Sequence, residues 1–367
     1  MRVGVLGAGQ LGQMMALAGY PLGFRLRFYD HAPDAPAAQV AECVIGDFED
    51  REALSRFAEP LDVVTYEFEN VPAHAAYDLA GRVPCLLPPP RALEIAQDRY
   101  EQKKFFHALD IPVPAFTPID SLEQLQRGVE RAGVPAVLKT RRWGYDGKGQ
   151  FILEAPEDAT SAWKAMQGSA LILEGFVRFD RELSLIAVRG RNGETAFYPL
   201  TENHHRKGIL RWSLAPAQPV SANLQHLAES YASKIFSALN YAGVLTIEFF
   251  YAGGNLLANE MATRVHNSGH WTIEGAATSQ FENHLRAICG FPLGSVEARG
   301  SSAMVNFIGT VPDLTAVLGM PGAHLHLYGK QPRPGRKLGH ATFCAPRSED
   351  LAGPLEALQE LTSERAT

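Results

Sequence analysis

The chain has 367 residues, of which 46% are hydrophobic and 20% charged, a balance typical of a globular protein of two or three domains. Its 34 Lys and Arg against 40 Asp and Glu leave a formal charge of -6, which argues against a nucleic-acid-binding surface. No apolar run approaches the roughly 20 residues that span a bilayer, and the N-terminus lacks a signal-peptide pattern. The four scattered cysteines form no CxxC pair, so we expect a cytoplasmic enzyme or binding protein with reduced thiols.

The N-terminus reads as a strand, Arg2–Leu6, that runs directly into the glycine-rich turn Gly7–Gly12. A second predicted strand, Phe24–Tyr29, ends at Asp30. This pattern is typical of a dinucleotide site, where glycines admit a diphosphate and an acid binds a ribose. A lone GxGxxG is weak evidence, because any tight turn from a strand to a helix selects the same glycines.

Two further predicted strands, Asp62–Tyr66 and Val83–Leu87, alternate with helical stretches and indicate an open parallel sheet. Glu67 and Glu69 follow the first of them, at the edge where open sheets bind ligands, although solvated loop acids would look the same. The prolines of Leu87–Pro90 predict a domain boundary. The amphipathic stretch from Arg91 to Leu109 predicts a helix beyond it.

The next segment predicts a hairpin whose loop, Arg141–Gln150, carries glycines and cations between the strands Val134–Lys139 and Phe151–Leu153. Backbone amides and positive side chains in such a loop suit a polyphosphate, although an exposed basic turn has the same composition. The apolar strand Ala170–Val177 could present its backbone to an adenine edge, and Glu182 could accept ribose hydroxyls. A core strand followed by a surface acid is the alternative.

A second hairpin, Leu245–Phe250 and Asn255–Glu260 around a glycine turn, carries two acids. A turn centred on Gly254 places Glu248 opposite Glu260, and it places four other residues on the opposite face: Ile247, Phe249, Leu257 and Asn259. Facing carboxylates repel unless a divalent cation lies between them, and magnesium is commonly held by one or two carboxylates plus phosphates. A register slip, or a solvated acidic face, would remove this site.

The loop that follows Glu260 contains His266 and His270, but the Asn-Ser-Gly between them favours an anion-binding loop over a zinc pair on a helix. The doublet His204-His205 indicates a polar nucleotide contact or a surface feature. Near the end of the chain, four cations in a Pro-Gly loop predict a phosphate-sized positive site, with a solvated basic turn as the alternative. These cations are Lys330, Arg333, Arg336 and Lys337.

Together and in this order, these segments resemble the ATP-grasp enzymes, and among them the N5-carboxyaminoimidazole ribonucleotide synthetases of purine biosynthesis. The most specific pieces are Gly144–Gln150, Arg264–Thr272 and Arg333–His340. The resemblance implies an α/β fold in three domains: a Rossmann-like parallel-sheet domain, 1–97, an ATP-grasp domain, 98–290, with a lid at about 112–178, and a small β-rich domain, 291–367. It also replaces the NAD interpretation, because in this family the glycine turn lies beside the second substrate.

The resemblance further implies a homodimer that uses ATP, Mg²⁺, bicarbonate and 5-aminoimidazole ribonucleotide. It assigns magnesium to Glu248 and Glu260. It assigns ATP contacts to a larger set: Arg99, Lys139, Gly144, Tyr145, Asp146, Gly147, Lys148, Gly149, Gln150, Glu174, Gly175, Phe176, Val177, Glu182, His205, Asn259 and Glu260.

By the same resemblance, Arg264, His266 and Asn267 surround bicarbonate and its phosphorylated form. The ribonucleotide's 5′-phosphate is assigned to Lys330, Arg336 and Lys337, of which Lys337 also belongs to the catalytic set. Gln10 and Glu67 are further candidates for contacts with this substrate, and Asp146 is a candidate proton-handling or orienting residue. One departure from the family is Thr263, which stands where a proline is usual and leaves the backbone before Arg264 less restrained.

Three other interpretations remain open at this point. A sister ATP-grasp enzyme, such as a formate-dependent transformylase or a biotin carboxylase, would share the ATP site but differ over Val265–Trp271. An NAD-dependent oxidoreductase would account for the first turn and Asp30 but not for Glu248 and Glu260. A non-catalytic nucleotide-binding protein would not need both of these glutamates.

Overall fold

The computed structural model describes residues 1–144, 147–166 and 168–362 of the chain. Tyr145 and Asp146, two of the residues assigned to the ATP site, lie outside the described residues. The described chain forms three β-sheets with helices packed around them. We name them the N-terminal sheet, the lid sheet and the platform sheet, in chain order.

The N-terminal sheet is parallel, as predicted, and its strands have the order β3-β2-β1-β4. Its central strand is the apolar run at the start of the chain, whose side chains are buried from Val3 onward. The strands are β1 (Arg2–Leu6), β2 (Arg25–Asp30), β3 (Glu42–Ile45) and β4 (Val63–Tyr66).

The lid sheet is antiparallel, in the order β5-β8-β6-β7, and contains the predicted basic hairpin between β6 and β7. Its strands are β5 (Phe116–Ile119), β6 (Ala136–Thr140), β7 (Gln150–Leu153) and β8 (Leu171–Gly175).

The platform sheet has nine strands, in the order β14-β13-β9-β11-β12-β15-β17-β16 with β10 paired to β9. Its β13–β14 pair is the acidic hairpin, and β17 begins with Lys337. The strands are β9 (Arg181–Arg189), β10 (Thr195–Phe197), β11 (Thr201–Arg206), β12 (Ile209–Ala215), β13 (Gly243–Ala252), β14 (Asn255–Ala262), β15 (Ser301–Ile308), β16 (Ala323–Leu327) and β17 (Lys337–Ala345).

Helices cover these sheets, and several begin at side chains that accept a hydrogen bond from the first free amides, among them Asp50, Asp98, Ser121 and Ser221. The α-helices are α1 (Gln10–Gly19), α2 (Arg51–Ala58), α3 (Ala73–Ala80), α4 (Pro90–Ala96), α5 (Arg99–Ala108), α6 (Leu122–Ala132), α7 (Asp158–Met166), α8 (Ala222–Leu239), α9 (Thr272–Gly275), α10 (Gln280–Cys289), α11 (Leu314–Leu318) and α12 (Ala352–Thr362). Short 3-10 turns lie at Tyr20–Leu22, Pro36–Gln39, Asn267–Gly269 and Ser348–Leu351.

One buried cluster joins the N-terminal sheet to the platform sheet, because Val5 and Val63 share it with Ile186 and Val244. The lid sheet has a separate core around Leu125. Over the residues described, we find no helix with the length and apolar character that crossing a bilayer requires.

Two expectations about the elements need correction, and one observed strand was not expected. The predicted strand at Val83–Leu87 is reduced to one parallel bridge between Val64 and Leu86, since Pro84 and Pro88 carry no amide hydrogen to extend the ladder. The single helix predicted from Arg91 to Leu109 is two helices, because Asp98 accepts the amides of the next turn and starts α5. Strand β3 was not predicted.

The strands of the predicted C-terminal β-rich domain, β15 to β17, are hydrogen-bonded to the rest of the platform sheet through the pairing of β12 with β15. This hydrogen-bonded connection brings Lys337 onto the same sheet as the acidic hairpin. The division into domains at residues 97 and 290 stays a prediction.

Candidate active site

The N-terminal glycine turn is filled by carboxylates of the chain itself. The amide of Ala8 donates to Asp30 Oδ2 at 2.7 Å, and the amide of Gly9 donates to Glu67 Oε1 at 2.7 Å. Gly7 has φ of +94°, and a Cβ on either Gly7 or Gly9 would lie within 2.8 Å of the Glu67 carboxylate. A dinucleotide diphosphate would need these same amides, so the turn serves to place Glu67.

Glu67 follows β4 and lies at one end of a cleft of about 640 Å³ between the three sheets, which we call the interdomain cleft. Burial raises the pKa of Glu67, although the Gly9 amide and the charges of Arg264 and Lys330 oppose that rise. Lys330 donates a hydrogen bond to Gln10 at the start of α1. Two predicted substrate residues from distant parts of the chain are thereby brought together with Glu67.

The acidic hairpin pairs Glu248 directly with Glu260, as predicted, but for a different reason. The turn lies between Gly253 and Gly254, and the register would place Asn259 opposite Glu248 if it continued unbroken. A β-bulge at Asn259 shifts the register by one residue and restores the carboxylate pair.

The bulge also corrects the predicted faces of the hairpin. Asn259 lines the same cavity as Glu248 and Glu260, and its Oδ1 is buried without a hydrogen-bond partner among the described residues. Leu257 pairs with Phe250, which is on the face of Glu248. The opposite, core-facing side of β14 carries Leu256 and Ala258.

The two carboxylates have opposite electrostatic environments. Burial and the nearby charge of Glu260 raise the pKa of Glu248 to about 7. Burial alone would raise the pKa of Glu260 as well, but Arg99 Nη1 donates to its Oε2 at 2.6 Å and holds that pKa at about 2. Among the described residues, no group of three or more His, Cys, Asp and Glu side chains is arranged as a metal cluster.

Charged side chains surround the buried Glu174, which lies on strand β8 of the lid sheet. Its Oε2 accepts from Lys139 Nζ at 2.9 Å and lies 3.6 Å from Lys103 Nζ. Burial opposes ionisation, but these two cations hold the pKa of Glu174 at about 2. Burial lowers the pKa of Lys103 to about 8, although the negative charge of Glu174 opposes this decrease. The carboxylate of Glu174 therefore acts on the site by fixing Lys139.

The lid loop is attached to the start of α5 through Asp98. Arg141 donates to both oxygens of this carboxylate at 3.0 and 2.9 Å, and Arg142 Nε donates at 3.3 Å. The next residue, Arg99, donates from Nη2 to the Gly144 carbonyl at 3.2 Å while its Nη1 binds Glu260. One helix end thus connects the lid loop to the carboxylate pair.

The loop after β14 brings three predicted anion-binding residues to the cleft. Arg264 Nη2 donates to Glu69 Oε2 at 3.0 Å and Nη1 donates to the Val265 carbonyl at 2.9 Å, which fixes the guanidinium although Thr263 precedes it. Asn267 exchanges amide hydrogen bonds with Asn306 on β15, at 2.9 and 3.0 Å.

His266 lies between this loop and the carboxylate pair. Its Nδ1 is 2.9 Å from Ser268 Oγ, and its Nε2 is 3.6 Å from Glu248 Oε1. Burial and the Arg264 charge lower the pKa of His266 to about 3, so its imidazole is neutral near pH 7. His270 points away into the core, where it is fully buried, and the two histidines form no metal pair.

A second cavity, of about 360 Å³, lies between the lid sheet and the platform sheet, and we call it the lid cavity. Lys139 is on its lid side, while Glu182 and His205 are on its platform side. His205 Nδ1 lies 3.0 Å from Glu182 Oε2, and although burial opposes it, this hydrogen bond raises the pKa of His205. The two cavities share six lining residues: Arg99, Glu248, Glu260, His266, Asn267 and Lys337.

Most of the residues predicted for ATP and magnesium line the lid cavity: Arg99, Lys139, Gly147, Gln150, Phe176, Glu182, His205, Glu248, Asn259 and Glu260. Gly144 lines the interdomain cleft instead. Several predicted residues are not in either lining: Lys148, Gly149, Glu174, Gly175 and Val177.

The predicted substrate residues mostly line the interdomain cleft: Gln10, Glu67, Arg264, His266, Asn267, Lys330 and Lys337. Arg336 is not in that lining, and its Nη1 donates to the Gln331 carbonyl. Arg333 lines the cleft in its place.

Sequence reasoning assigned no role to Asp98, Lys103 or Asn306, and it placed Glu69 only at the ligand-binding edge of the sheet. All four residues hold site residues in place. Glu69 lies two residues beyond Glu67 in the same loop, and Asp98 immediately precedes Arg99, so position in the sequence was a usable signal for both. Lys103 and Asn306 gave no such signal, because their contacts with Glu174 and Asn267 join segments far apart in the chain.

Three sequence families match successive parts of the chain. The ribonucleotide synthetase preATP-grasp domain matches residues 1–97, the ATP-grasp domain matches residues 104–281, and the phosphoribosylaminoimidazole carboxylase C-terminal domain matches residues 302–353. They occur in the order that the motifs predict.

Known proteins match over nearly the whole length. The N5-carboxyaminoimidazole ribonucleotide synthase of Pseudomonas aeruginosa is 51% identical over 349 residues, which cover 95% of this chain and 96% of that protein. The N5-carboxyaminoimidazole ribonucleotide synthetase structure from Thermus thermophilus is 58% identical with a TM-score of 0.95, over 100% of this chain and 99% of that one.

A synthase structure from Aspergillus clavatus, in complex with ADP and 5-aminoimidazole ribonucleotide, is 33% identical with a TM-score of 0.91 over 98% of each chain. The resemblance inferred from the motifs is confirmed, and the NAD interpretation is set aside. The chain belongs to the N5-carboxyaminoimidazole ribonucleotide synthetase family, the ATP-dependent ligases that carboxylate 5-aminoimidazole ribonucleotide in purine biosynthesis.

Proposed function

We propose that the lid cavity binds ATP, that the interdomain cleft binds 5-aminoimidazole ribonucleotide, and that carboxylation takes place where they meet. The observation that carries this proposal is the set of residues common to both cavities, which includes Glu248, Glu260 and His266. A phosphoryl donor and a carboxyl acceptor must approach each other, and this junction is the place where both cavities open onto the same side chains.

The lining of the lid cavity supports the ATP assignment. Phe179 and Phe250 stack at 4.9 Å between centroids and give it an apolar wall suited to a purine base. Glu182, paired with His205, would accept the ribose hydroxyls. Lys139 and the lid-loop amides around Gly147 would neutralise the phosphates.

Three oxygen ligands fit a magnesium ion at the base of the lid cavity. Glu248 and Glu260 face each other, and the buried Oδ1 of Asn259 beside them has no hydrogen-bond partner among the described residues. Carboxylate and amide oxygens are ligands that magnesium accepts, with nucleotide phosphates completing the set. When bound there, the ion would offset the negative charge that develops during phosphoryl transfer.

The first step is the activation of bicarbonate. A bicarbonate oxygen attacks the γ-phosphorus of ATP, ADP leaves, and carboxyphosphate forms. Arg264 would hold the anion beside neutral His266, because the guanidinium is already fixed by Glu69. Asn267 would complete this pocket, and Lys337 would stabilise the anion from the platform side of the junction.

The second step transfers the carboxyl group. The exocyclic amine of the ribonucleotide attacks the carbon of carboxyphosphate and expels phosphate, or it attacks CO2 after phosphate has left. The proton that the nitrogen loses passes to the phosphate. Lys330 and Lys337 would bind the 5′-phosphate, with Arg333 and Arg336 adding positive charge at the rim. Gln10, which is bonded to Lys330, and Glu67 would contact the ribonucleotide beside it.

Lid closure would keep water away from carboxyphosphate, which hydrolyses readily. Asp146, as an orienting or proton-handling residue, and Tyr145, as an ATP contact, stay predictions. Homodimerisation and a cytoplasmic location also stay predictions, and sedimentation of the purified chain would test the first of them.

The assay that tests the function measures ADP release with magnesium while bicarbonate and the ribonucleotide are omitted in turn. We expect release to require both, with one ADP formed for each N5-carboxyaminoimidazole ribonucleotide. Release that ignores the ribonucleotide, or that requires formate, would contradict the assignment and favour a sister ATP-grasp enzyme.

A further inference from the structure

Trp143 combines two unusual features at the rim of the interdomain cleft. Its backbone has φ of +65°, in the left-handed region that bulky side chains rarely occupy. Its side chain lines the cleft, yet the residue is 68% exposed. A large aromatic ring is thus held at an unfavourable backbone angle without being used to fill the core.

Contacts on both sides of Trp143 impose this backbone conformation. Before it, the Arg141 carbonyl accepts from the Arg99 amide at 2.9 Å and the Arg141 side chain binds Asp98. After it, the Gly144 carbonyl accepts from Arg99 Nη2. Strain kept in place by surrounding contacts is a feature of functional sites, and here it directs an indole at the cleft.

The indole is the available aromatic surface in the cleft. Among the described residues, the aromatic side chains in the lining are Phe68 and Trp143. Phe68 already stacks on Phe48, with centroids 6.3 Å apart, whereas the ring pairs of the described part of the chain do not include Trp143. A planar ligand in the cleft would therefore find one unoccupied aromatic face.

The charges that line the same cleft would orient such a ligand. With its phosphate at Lys330 and its amine directed to the junction at His266, the ribonucleotide must extend its heterocycle through the stretch between them. We propose that the indole of Trp143 packs on the aminoimidazole ring of the bound ribonucleotide and thereby sets its affinity. This inference rests on the proposed placement of the ribonucleotide in the interdomain cleft.

Two substitutions separate this role from a structural one. W143F keeps an aromatic face and the unfavourable φ, whereas W143N removes the ring but suits the left-handed region, which asparagine tolerates. We expect W143N to raise the KM for the ribonucleotide about tenfold, with a melting temperature no lower than that of the unmodified chain. W143F should retain most of the affinity.

Fluorescence supplies a readout that is independent of turnover. We expect the ribonucleotide to quench tryptophan emission in the unmodified chain, to lose that effect in W143F, and to keep it in the control W163F, which changes a residue of the lid helix α7. Quenching that persists in W143F, or an unchanged KM in W143N, overturns the role of Trp143. If the unmodified chain neither binds nor carboxylates the ribonucleotide, the proposed function itself has failed.

Discussion

Glu248 and Glu260 face each other across two strands because Asn259 bulges out of the register between them. If the pair holds magnesium, E248Q should lower kcat by about 10² to 10³ and raise the magnesium concentration needed for half-maximal rate. Initial rates measured at increasing magnesium concentrations give both kcat and the magnesium concentration for half-maximal rate. The exposed lid variant E157Q is the matched control and should behave like the unmodified chain, whereas a normal magnesium requirement in E248Q would remove the metal assignment.

Glu69 acts through Arg264, whose guanidinium it fixes at 3.0 Å. E69Q removes the charge partner of a partly buried cation, so we expect kcat/KM for bicarbonate to fall about 10- to 100-fold. The KM for ATP should change little, because the lid cavity does not include Arg264. Initial rates at varied bicarbonate test this. The control is E94Q, which loses an exposed contact with Tyr77, and equal effects of both variants would refute the role of Glu69.

Ribonucleotide affinity should depend on pH through Lys330. Burial lowers the pKa of Lys330 to about 8, with the neighbouring cations adding to the effect and Glu67 opposing it. The side chain therefore carries its charge below pH 8 and loses it above, so the KM for the ribonucleotide should rise as pH increases from 8 to 9. K330R should flatten this part of the profile, because arginine stays charged. If the KM of K330R rises by the same amount between pH 8 and 9, the pH dependence belongs to another group.

Asp98 has two roles, and a pair of variants separates them. D98A removes the cap of α5 and the partner of Arg141 and Arg142, so it should destabilise the protein by about 2–4 kcal/mol and raise the KM for ATP. S121A removes only the cap of α6 and should cost about 1 kcal/mol without affecting ATP. Urea unfolding and ATP titration measure the two effects. An unchanged KM for ATP in D98A would mean that the lid loop does not depend on this attachment.

Local patterns predicted the elements that depend on nearby residues. Apolar runs predicted the strands on either side of the lid loop after Lys139, and the glycine turn predicted the acidic hairpin. The pairing of Glu248 with Glu260 was right, but a bulge is invisible in the sequence, because a local backbone distortion leaves no periodic signal. The face of Asn259 was wrong for the same reason.

Contacts between segments that are far apart in the chain explain the other differences between the predictions and the structure. The motif at Gly7–Gly12 looks like a diphosphate site, but Asp30 accepts the amide of Ala8 and Glu67, which is distant in sequence, accepts the amide of Gly9. The sequence did not indicate that the strands of the C-terminal domain pair with β12, because the pairing of β12 with β15 joins segments far apart in the chain. The family resemblance supplied the roles that spacing alone left open.

The platform sheet links the acidic hairpin at one edge to Lys337 near the other by an unbroken hydrogen-bonded ladder. Domain motions leave such hydrogen-bonded pairing intact, so the carboxylate pair and Lys337 keep a fixed spacing at the junction of the two cavities. The lid sheet has its own core, separate from that of the platform sheet. A movement of the lid can therefore change how tightly ATP is enclosed without shifting the carboxylate pair relative to Lys337.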